Sequence, residues 1–163
     1  MSYKRGKIDG VHAVQLVKHV DWRGYLIETF RMDILPNEVQ PQMSYVSYTE
    51  PGVARGPHEH REQTDMFAFI GPGNFKVKLW DNREQSQSFG NVTTYFAGID
   101  NPLLVVVPPG VVHGYKNISR TERGMVLNYP DKLFKGWNKE KEVDEIRHED
   151  QGDEFYRDFI SES

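Results

Sequence analysis

The sequence predicts an all-β barrel or sandwich, and three observations support this. Most of the chain divides into short segments rich in β-branched and aromatic residues. Turn signals built from Gly, Pro, Asn and Asp separate these segments. Long helical periodicity is missing. Many short strands with Gly and Pro between them are typical of sandwiches and barrels.

Eight predicted strands follow one another along the chain. They are residues 11–17, 25–32, 42–49, 66–71, 75–80, 92–98, 103–108 and 124–129. The connections carry the turn signals WRG, EPG, GPG, DNR, IDNP and PPG. We expect one domain over residues 1–163, made of an N-terminal strand region (1–20), a barrel core (21–130) and a charged tail (131–163). For the tail, a short helix, a docked segment and a disordered end all stay open.

Composition excludes several classes of function. The 163 residues include no cysteine, so disulfides and thiolate chemistry are ruled out, and a cytoplasmic location is expected. A net charge of −4 argues against non-specific nucleic-acid binding, which needs a basic face. The longest apolar run, PLLVVVPPGVV, is short and interrupted by prolines. No membrane span is therefore expected.

Three histidines and one carboxylate form a candidate site. His58 and His60 are separated by one residue, and alternate residues of a strand point to the same face. His113 follows PPGVV, a turn that can return it to that face. Together with Asp65 these side chains make a plausible site for Zn, Mn, Fe or Ni.

The spacing of these residues resembles the two cupin motifs. The first runs from Gly52 through His58-Glu59-His60 to Asp65, where cupins more often carry Glu, and closes at Gly71. The second is Pro108-Pro109-Gly110-Val111-Val112-His113 followed by Asn117. This resemblance implies a double-stranded β-helix, the jelly-roll barrel of cupins.

Further segments resemble a narrower cupin group, the dTDP-4-dehydrorhamnose 3,5-epimerase family, which acts on nucleotide-linked 4-keto sugars. The matching segments span about residues 10 to 150. They are Asp21-Trp22-Arg23-Gly24-Tyr25 with Glu28, Ala54-Arg55-Gly56-Pro57-His58, Gln63, Asp81-Asn82-Arg83 with Ser86-Gln87-Ser88-Phe89-Gly90, and Pro108-Pro109-Gly110-Val111-Val112-His113-Gly114-Tyr115.

This resemblance implies a mechanism without a cofactor. A 4-keto sugar acidifies the C–H bonds at C3 and C5, so epimerisation needs a base, a cation or donor for the enolate oxygen, and an acid on the opposite ring face. His58 matches the family's base, while Arg55 and Arg23 would hold the diphosphate or the oxyanion. His113, Gln63 and Glu28 would complete the substrate-binding residues, although Glu28 is equally suited to pair with an arginine.

The resemblance also implies a nucleotide-diphosphate sugar as ligand and a homodimer as the assembly. Strand edges of an all-β barrel must be covered, and the N-terminal strands are suited to pair across a dimer. In that case Arg23 would reach the partner's site rather than its own.

Three positions depart from the family pattern. His60 stands where the family has Gln, which restores a metal-type His-x-His, and Asp65 replaces a lysine that assists the enolate. In the family, a tyrosine serves as the acid on the opposite ring face. Its position aligns near Asn128, with Tyr129 adjacent as a weaker candidate. The carboxylate partner of the base has no clear counterpart, and Asp150 and Asp153 are the candidates.

Three functions follow from these observations. The first is an epimerase or isomerase of cell-surface polysaccharide biosynthesis, with His58 as base. The second is a metal-dependent cupin enzyme that uses His58, His60, Asp65 and His113, with the metal as Lewis acid in place of the lost lysine. The third is a non-catalytic member that binds a sugar nucleotide.

Overall fold

A computed structural model describes residues 2–152 and 154–161. This part of the chain contains thirteen strands and one α-helix. The strands are β1 (Lys4–Arg5), β2 (His12–Gln15), β3 (Lys18–Asp21), β4 (Gly24–Ile27), β5 (Tyr45–Thr49), β6 (Ala54–Glu59), β7 (Asp65–Phe69), β8 (Asn74–Asp81), β9 (Asn91–Gly98), β10 (Leu103–Val107), β11 (Val111–Asn117), β12 (Gly124–Asn128) and β13 (Ile146–Arg147). A 3-10 turn (Trp137–Lys139) and the helix α1 (Glu154–Ser161) complete the elements.

Two large sheets form the barrel. The six-stranded sheet has the order β1-β9-β8-β11-β6-β13, and the five-stranded sheet has the order β2-β10-β7-β12-β5. Within them β1 and β9 pair in parallel, whereas the other described pairs are antiparallel. The predicted all-β jelly-roll fold is confirmed.

The central strands of the five-stranded sheet are buried on both faces. Phe67, Phe69 and Val105 point into the main core between the sheets. Their neighbours Met66 and Leu104 point the other way into a second cluster that residues 16–39 cover. This double burial explains why the sequence of β10, LLVVV, is continuously apolar instead of alternating.

A separate hairpin of β3 and β4 projects from the barrel. Its side chains are unusually apolar for an exposed element: Val20 is 74 % exposed, Trp22 94 % and Leu26 62 %. A patch of this kind marks an interaction surface more often than a free one.

The charged tail docks onto the barrel. Strand β13 adds to the edge of the six-stranded sheet by pairing with β6. Tyr156 and Phe159 of α1 are buried against Trp80 of β8, with ring centroids 5.3 Å and 5.6 Å from that indole. Of the described residues, no helix has both the length and the apolar character to cross a bilayer.

Candidate active site

An open cleft of about 1430 Å³ is bordered by strands of both large sheets. Tyr45 and Ser47 of β5 line it from the five-stranded sheet, whereas Arg55 and His58 of β6 line it from the six-stranded sheet. The segment 130–145 lines its remaining side. Side chains from both sheets therefore face one space.

The structure brings His58, His60, Asp65 and His113 together. His58 and His113 are paired across β6 and β11, with ring centroids 4.4 Å apart. The rings of His58 and His60 are 5.5 Å apart. One ligand-type atom from each of the four residues lies within 4.8 Å of the others.

Asp65 is the charged centre of this cluster. Its side chain is 1 % exposed, and Oδ1 accepts hydrogen bonds from Gln63 Nε2 at 2.9 Å and Asn128 Nδ2 at 2.8 Å. Oδ2 lies 3.0 Å from His60 Nε2 and 3.2 Å from His113 Nε2. Burial opposes ionisation, but the contacts with His113 and His60 outweigh it and hold the pKa of Asp65 well below its usual range.

Backbone carbonyls fix the two supporting imidazoles. His60 Nδ1 contacts the carbonyl oxygen of Asp144, and His113 Nδ1 lies 2.9 Å from that of Val111. A carbonyl oxygen only accepts, so each Nδ1 carries a proton and each Nε2 is directed at Asp65. Among the described residues, Asp65 Oδ2 and His113 Nε2 are buried without a partner in hydrogen-bond geometry.

His60 provides the compensating charge in the protein alone. Burial lowers its pKa, but the carboxylate of Asp65 outweighs this and raises the pKa of His60 to about 9. His60 and Asp65 therefore form an ion pair at neutral pH. The carboxylate of Asp144 fixes the turn that comes directly after His60. It accepts hydrogen bonds from the backbone N–H groups of residues 61–63.

His58 is placed differently from its two neighbours. It lines the cleft, and its Nδ1 lies 3.8 Å from Glu145 Oε1, with each side chain 17 % exposed. Burial and the adjacent His113 lower the pKa of His58 well below its usual value. The ring is therefore neutral at neutral pH and able to accept a proton.

Gly56 allows the close packing beneath His58. Its φ is +76°, and a Cβ at this position would lie 2.7 Å from the carbonyl oxygen of His113. An L side chain would be strained in the backbone and would clash with the neighbouring strand. The Arg-Gly-Pro-His motif thus depends on this glycine to bring β6 and β11 together.

Two further predicted residues, Arg55 and Gln63, also line the cleft. The guanidinium of Arg55 donates to Thr49 Oγ1 at 3.0 Å and to the carbonyl oxygen of Tyr48 at 2.7 Å. His113 does not line it. At 3 % exposure it lies behind His58, with its Nε2 directed at Asp65 Oδ2 rather than at the space where a ligand would lie.

Tyr129 requires a correction, because it lies outside the cleft. Its hydroxyl is 2.8 Å from Thr29 Oγ1, and its ring packs 4.8 Å from that of Phe30 in the cluster on the outer face of the sheet. The physical reason is alternation in extended chain: Asn128 points inward, so its neighbour points outward.

Arg23 and Glu28 also lie apart from the cleft of the same chain. Arg23 is paired with Asp21 at 2.6 Å on the exposed hairpin, and Glu28 contacts Arg31 at 3.2 Å. For the partner of the base, Asp150 is exposed and does not line the cleft, while Asp153 lies outside the described residues.

Several cleft residues were given no functional role from the sequence. Glu145 is the carboxylate nearest His58 that the structure describes. Tyr45 accepts a hydrogen bond from Asn128 Nδ2 at 2.9 Å. One wall also carries lysines and exposed aromatic side chains from the segment DKLFKGWNKEK, namely Lys132, Lys135, Lys139, Lys141, Phe134 and Trp137. The mixture of lysine and aromatic residues in that segment was the available signal.

Comparison with known proteins identifies the family. Residues 5–151 match the family model of dTDP-4-dehydrorhamnose 3,5-epimerase. The chain belongs to the dTDP-4-dehydrorhamnose 3,5-epimerase family. This confirms the family prediction and that of a sugar-nucleotide epimerase.

Similar proteins support this assignment to the family. The chain is 40 % identical over 114 residues to the spore coat polysaccharide biosynthesis protein SpsL of Bacillus subtilis, covering 70 % of this chain and 74 % of the relative. It is 38 % identical over 128 residues to the probable low-salt glycan biosynthesis epimerase Agl13 of Haloferax volcanii, covering 78 % and 81 %. The crystal structure of a dTDP sugar isomerase from Desulfovibrio desulfuricans superposes with a TM-score of 0.75 at 25 % identity, over 86 % of this chain and 84 % of the other.

Proposed function

We propose that this protein epimerises a nucleotide-linked 4-keto-6-deoxy sugar, with His58 as the base. The observation that carries the proposal is the position of His58 in the wall of the cleft, with its Nδ1 3.8 Å from the Glu145 carboxylate. The ketone acidifies the adjacent C–H bonds, and an imidazole of this kind accepts the proton. Glu145 would then stabilise the imidazolium that forms.

A cation is needed where the negative charge develops. Arg55 lines the same wall of the cleft as His58 and is suited to the enolate oxygen or to the diphosphate. Asp65 stands where the family has lysine, and its charge is matched by His60 in the ion pair beneath the cleft. The anionic residue therefore does not oppose the enolate with an unbalanced charge.

The proposed ligand is a nucleotide-diphosphate sugar. The wall formed by residues 132–141 offers Lys135, Lys139 and Lys141 to a diphosphate, with Phe134 and Trp137 available to stack on a base. Trp137 is 80 % exposed. The names of the two relatives above, which refer to spore coat polysaccharide and glycan biosynthesis, support a role in making cell-surface polysaccharide. The lack of cysteine agrees with a cytoplasmic location.

The proposed assembly is a homodimer. The apolar hairpin of β3 and β4 supplies the contact surface, and in such a dimer Arg23 and Glu28 would reach the cleft of the partner. Light scattering after gel filtration measures the mass. Trp22→Ala should shift the protein toward the monomer, and Arg23→Ala should raise KM if the hairpin completes the partner's site.

Solvent exchange tests the proposed chemistry. In D2O, wild-type protein should exchange the proton next to the ketone of dTDP-4-keto-6-deoxyglucose, as followed by NMR. His58→Asn should slow this exchange by about 100-fold or more. His12→Asn, an exposed histidine on β2, is the matched control and should exchange at the wild-type rate. Absence of exchange with every sugar nucleotide tested would favour the non-catalytic binding function.

A divalent metal is the second candidate for the cluster. Three imidazoles and one carboxylate suit Zn, Mn, Fe or Ni, and the bonds from Nδ1 of His60 and His113 to carbonyls are typical of metal-bound histidine. Asp65 Oδ2 and His113 Nε2, buried without hydrogen-bond partners among the described residues, favour this occupant. When bound, a metal would supply a Lewis acid for the keto oxygen.

Elemental analysis shows whether a bound metal, rather than a proton on His60, balances the charge of Asp65. A stoichiometric metal that is lost in Asp65→Asn would support the metal site, and titration with Co²⁺ would show the coordination in the visible spectrum. If the protein contains no metal and a chelator leaves its exchange activity unchanged, the metal site is rejected and the epimerase proposal stands.

A further inference from the structure

We propose that Tyr45 is the acid that protonates the substrate on the ring face opposite His58. This inference rests on the proposed function, since it assigns the second proton transfer of the same reaction. Epimerisation inverts a carbon only if the proton returns from the other side. A donor is therefore needed across the cleft from the base.

The two sheets place Tyr45 and His58 on opposite walls. His58 lies on β6 in the six-stranded sheet, and Tyr45 lies on β5 in the five-stranded sheet. Both side chains line the same cleft. A sugar ring lying in the cleft would present one face to each sheet.

Asn128 fixes the phenol in this position. Asn128 and Tyr45 are register partners across β12 and β5, and Asn128 Nδ2 donates to the phenol oxygen at 2.9 Å. The same amide nitrogen donates to Asp65 Oδ1 at 2.8 Å, which holds the amide in place. Because the phenol oxygen is the acceptor in this bond, its own proton stays available for donation.

The protonation state of Tyr45 agrees with this role. Burial, with the nearby negative charge of Asp65, raises the pKa of Tyr45 to about 12. The hydroxyl is therefore protonated at neutral pH. The hydrogen bond from Asn128 stabilises the phenolate that is left after the proton is given up.

The other tyrosine that lines the cleft is less suited to donate. Tyr115 is 4 % exposed, and its hydroxyl is 3.1 Å from Ser47 Oγ. Tyr45 is 45 % exposed and open to a ligand. Tyr129, adjacent to Asn128 in sequence, faces the outer cluster. Among the cleft tyrosines of the described residues, Tyr45 is thus the accessible one.

The proton transfers balance without a cofactor. His58 takes the proton from carbon, the C–H electron pair becomes the C=C bond of the enolate, and the carbonyl π pair moves to oxygen. The enolate then collapses to the ketone as its carbon takes the proton of Tyr45 on the other face. Water returns a proton to the phenolate and accepts one from the imidazolium, so the net change is inversion of one carbon.

Tyr45→Phe tests the assignment by separating exchange from inversion. In D2O the variant should still exchange the substrate proton at close to the wild-type rate, since His58 is unchanged. Formation of inverted product should fall by about 100-fold or more, because the proton can return only to the original face. Tyr129→Phe is the matched control, and it should exchange and invert at wild-type rates.

Each outcome decides the question. Wild-type inversion by Tyr45→Phe would overturn the role of Tyr45 while leaving His58 as the base. Loss of both exchange and inversion in a variant with wild-type thermal unfolding would also overturn it, since Tyr45 would then act in binding. No exchange by wild-type protein with any sugar nucleotide would instead remove the proposed function itself.

Discussion

Asn128 and Tyr45 face each other across the β12–β5 pair, with the amide nitrogen 2.9 Å from the phenol oxygen. In the family, the tyrosine that acts as the acid aligns near Asn128. Here the neighbouring strand brings a phenol to that amide. The hydroxyl group is thus contributed by a cross-strand partner rather than by β12 itself.

Replacing the amide should therefore weaken inversion more than exchange. Asn128→Leu removes the donor to Tyr45 and one donor to Asp65, so we expect product formation to fall by roughly 10- to 100-fold, with a smaller effect on deuterium exchange. NMR in D2O measures both rates in one sample. Equal losses of the two rates would contradict a role for Asn128 in positioning the acid.

Glu145 should assist the base without binding the substrate. Its carboxylate lies 3.8 Å from His58 Nδ1 and also pairs with Arg147. Glu145→Gln removes the charge that stabilises the imidazolium, and kcat should fall by about 10-fold or more with little change in KM. Steady-state kinetics measure both constants. Glu140→Gln, an exposed neutralisation on the same segment, is the control, and a similar loss in that variant would contradict the assignment.

Gly56 allows a matched test of close packing. Gly56 and Gly52 have nearly the same φ, +76° and +74°, but a Cβ at Gly56 would lie 2.7 Å from His113 O, whereas one at Gly52 meets nothing within 4 Å. Gly52→Ala should cost about 1 kcal/mol in free energy of unfolding from the backbone alone. Gly56→Ala should cost about 1–3 kcal/mol more. Urea titration measures both, and equal costs would show that β6 and β11 can separate freely.

Asp81 should make stability depend on pH in the acid range. It is fully buried, and although burial opposes ionisation, hydrogen bonds from Arg83, Ser88 and Ser86 lower the pKa of Asp81 to about 2. A lowered folded-state pKa contributes stability that is present above the unfolded pKa and is lost as pH falls through the folded value.

The comparison of wild type with Asp81→Asn measures this contribution. At pH 6 the variant should be less stable by about 1–3 kcal/mol, because the arginine and two hydroxyls lose a charged acceptor. The gap should narrow as the pH falls from 4 to 2 in urea titrations. A gap that stays constant over this range would show that the Asp81 charge does not stabilise the fold.

Local patterns predicted the fold and part of the site. His-x-His within a strand placed His58 and His60 toward one region, and the PPG turn returned His113 to it, because these rules depend on near neighbours in sequence. Tyr129 was predicted to lie in the site, but it faces the outer cluster, because a shift of one residue reverses the face of a strand. Only the pairing of β12 with β5, which joins residues 83 apart, places Tyr45 beside Asn128.

Contacts from the tail were beyond the reach of such rules. Residues 131–150 are rich in charge, a composition that usually indicates a solvated segment. Asp144 and Glu145 are instead fixed by the pairing of β13 with β6. Nothing in their local sequence distinguishes them from the exposed acidic residues nearby.

The docking of β13 has a consequence for the order of events during synthesis. A ribosome-bound chain that has completed β12 already contains His58, His60, Asp65 and His113. It still lacks the Asp144 carbonyl that accepts the hydrogen bond of His60 Nδ1, and the Glu145 carboxylate beside His58. The barrel can thus close around its histidines before Glu145 lies beside His58, and the proposed site is complete only after residues 144–147 have left the ribosome.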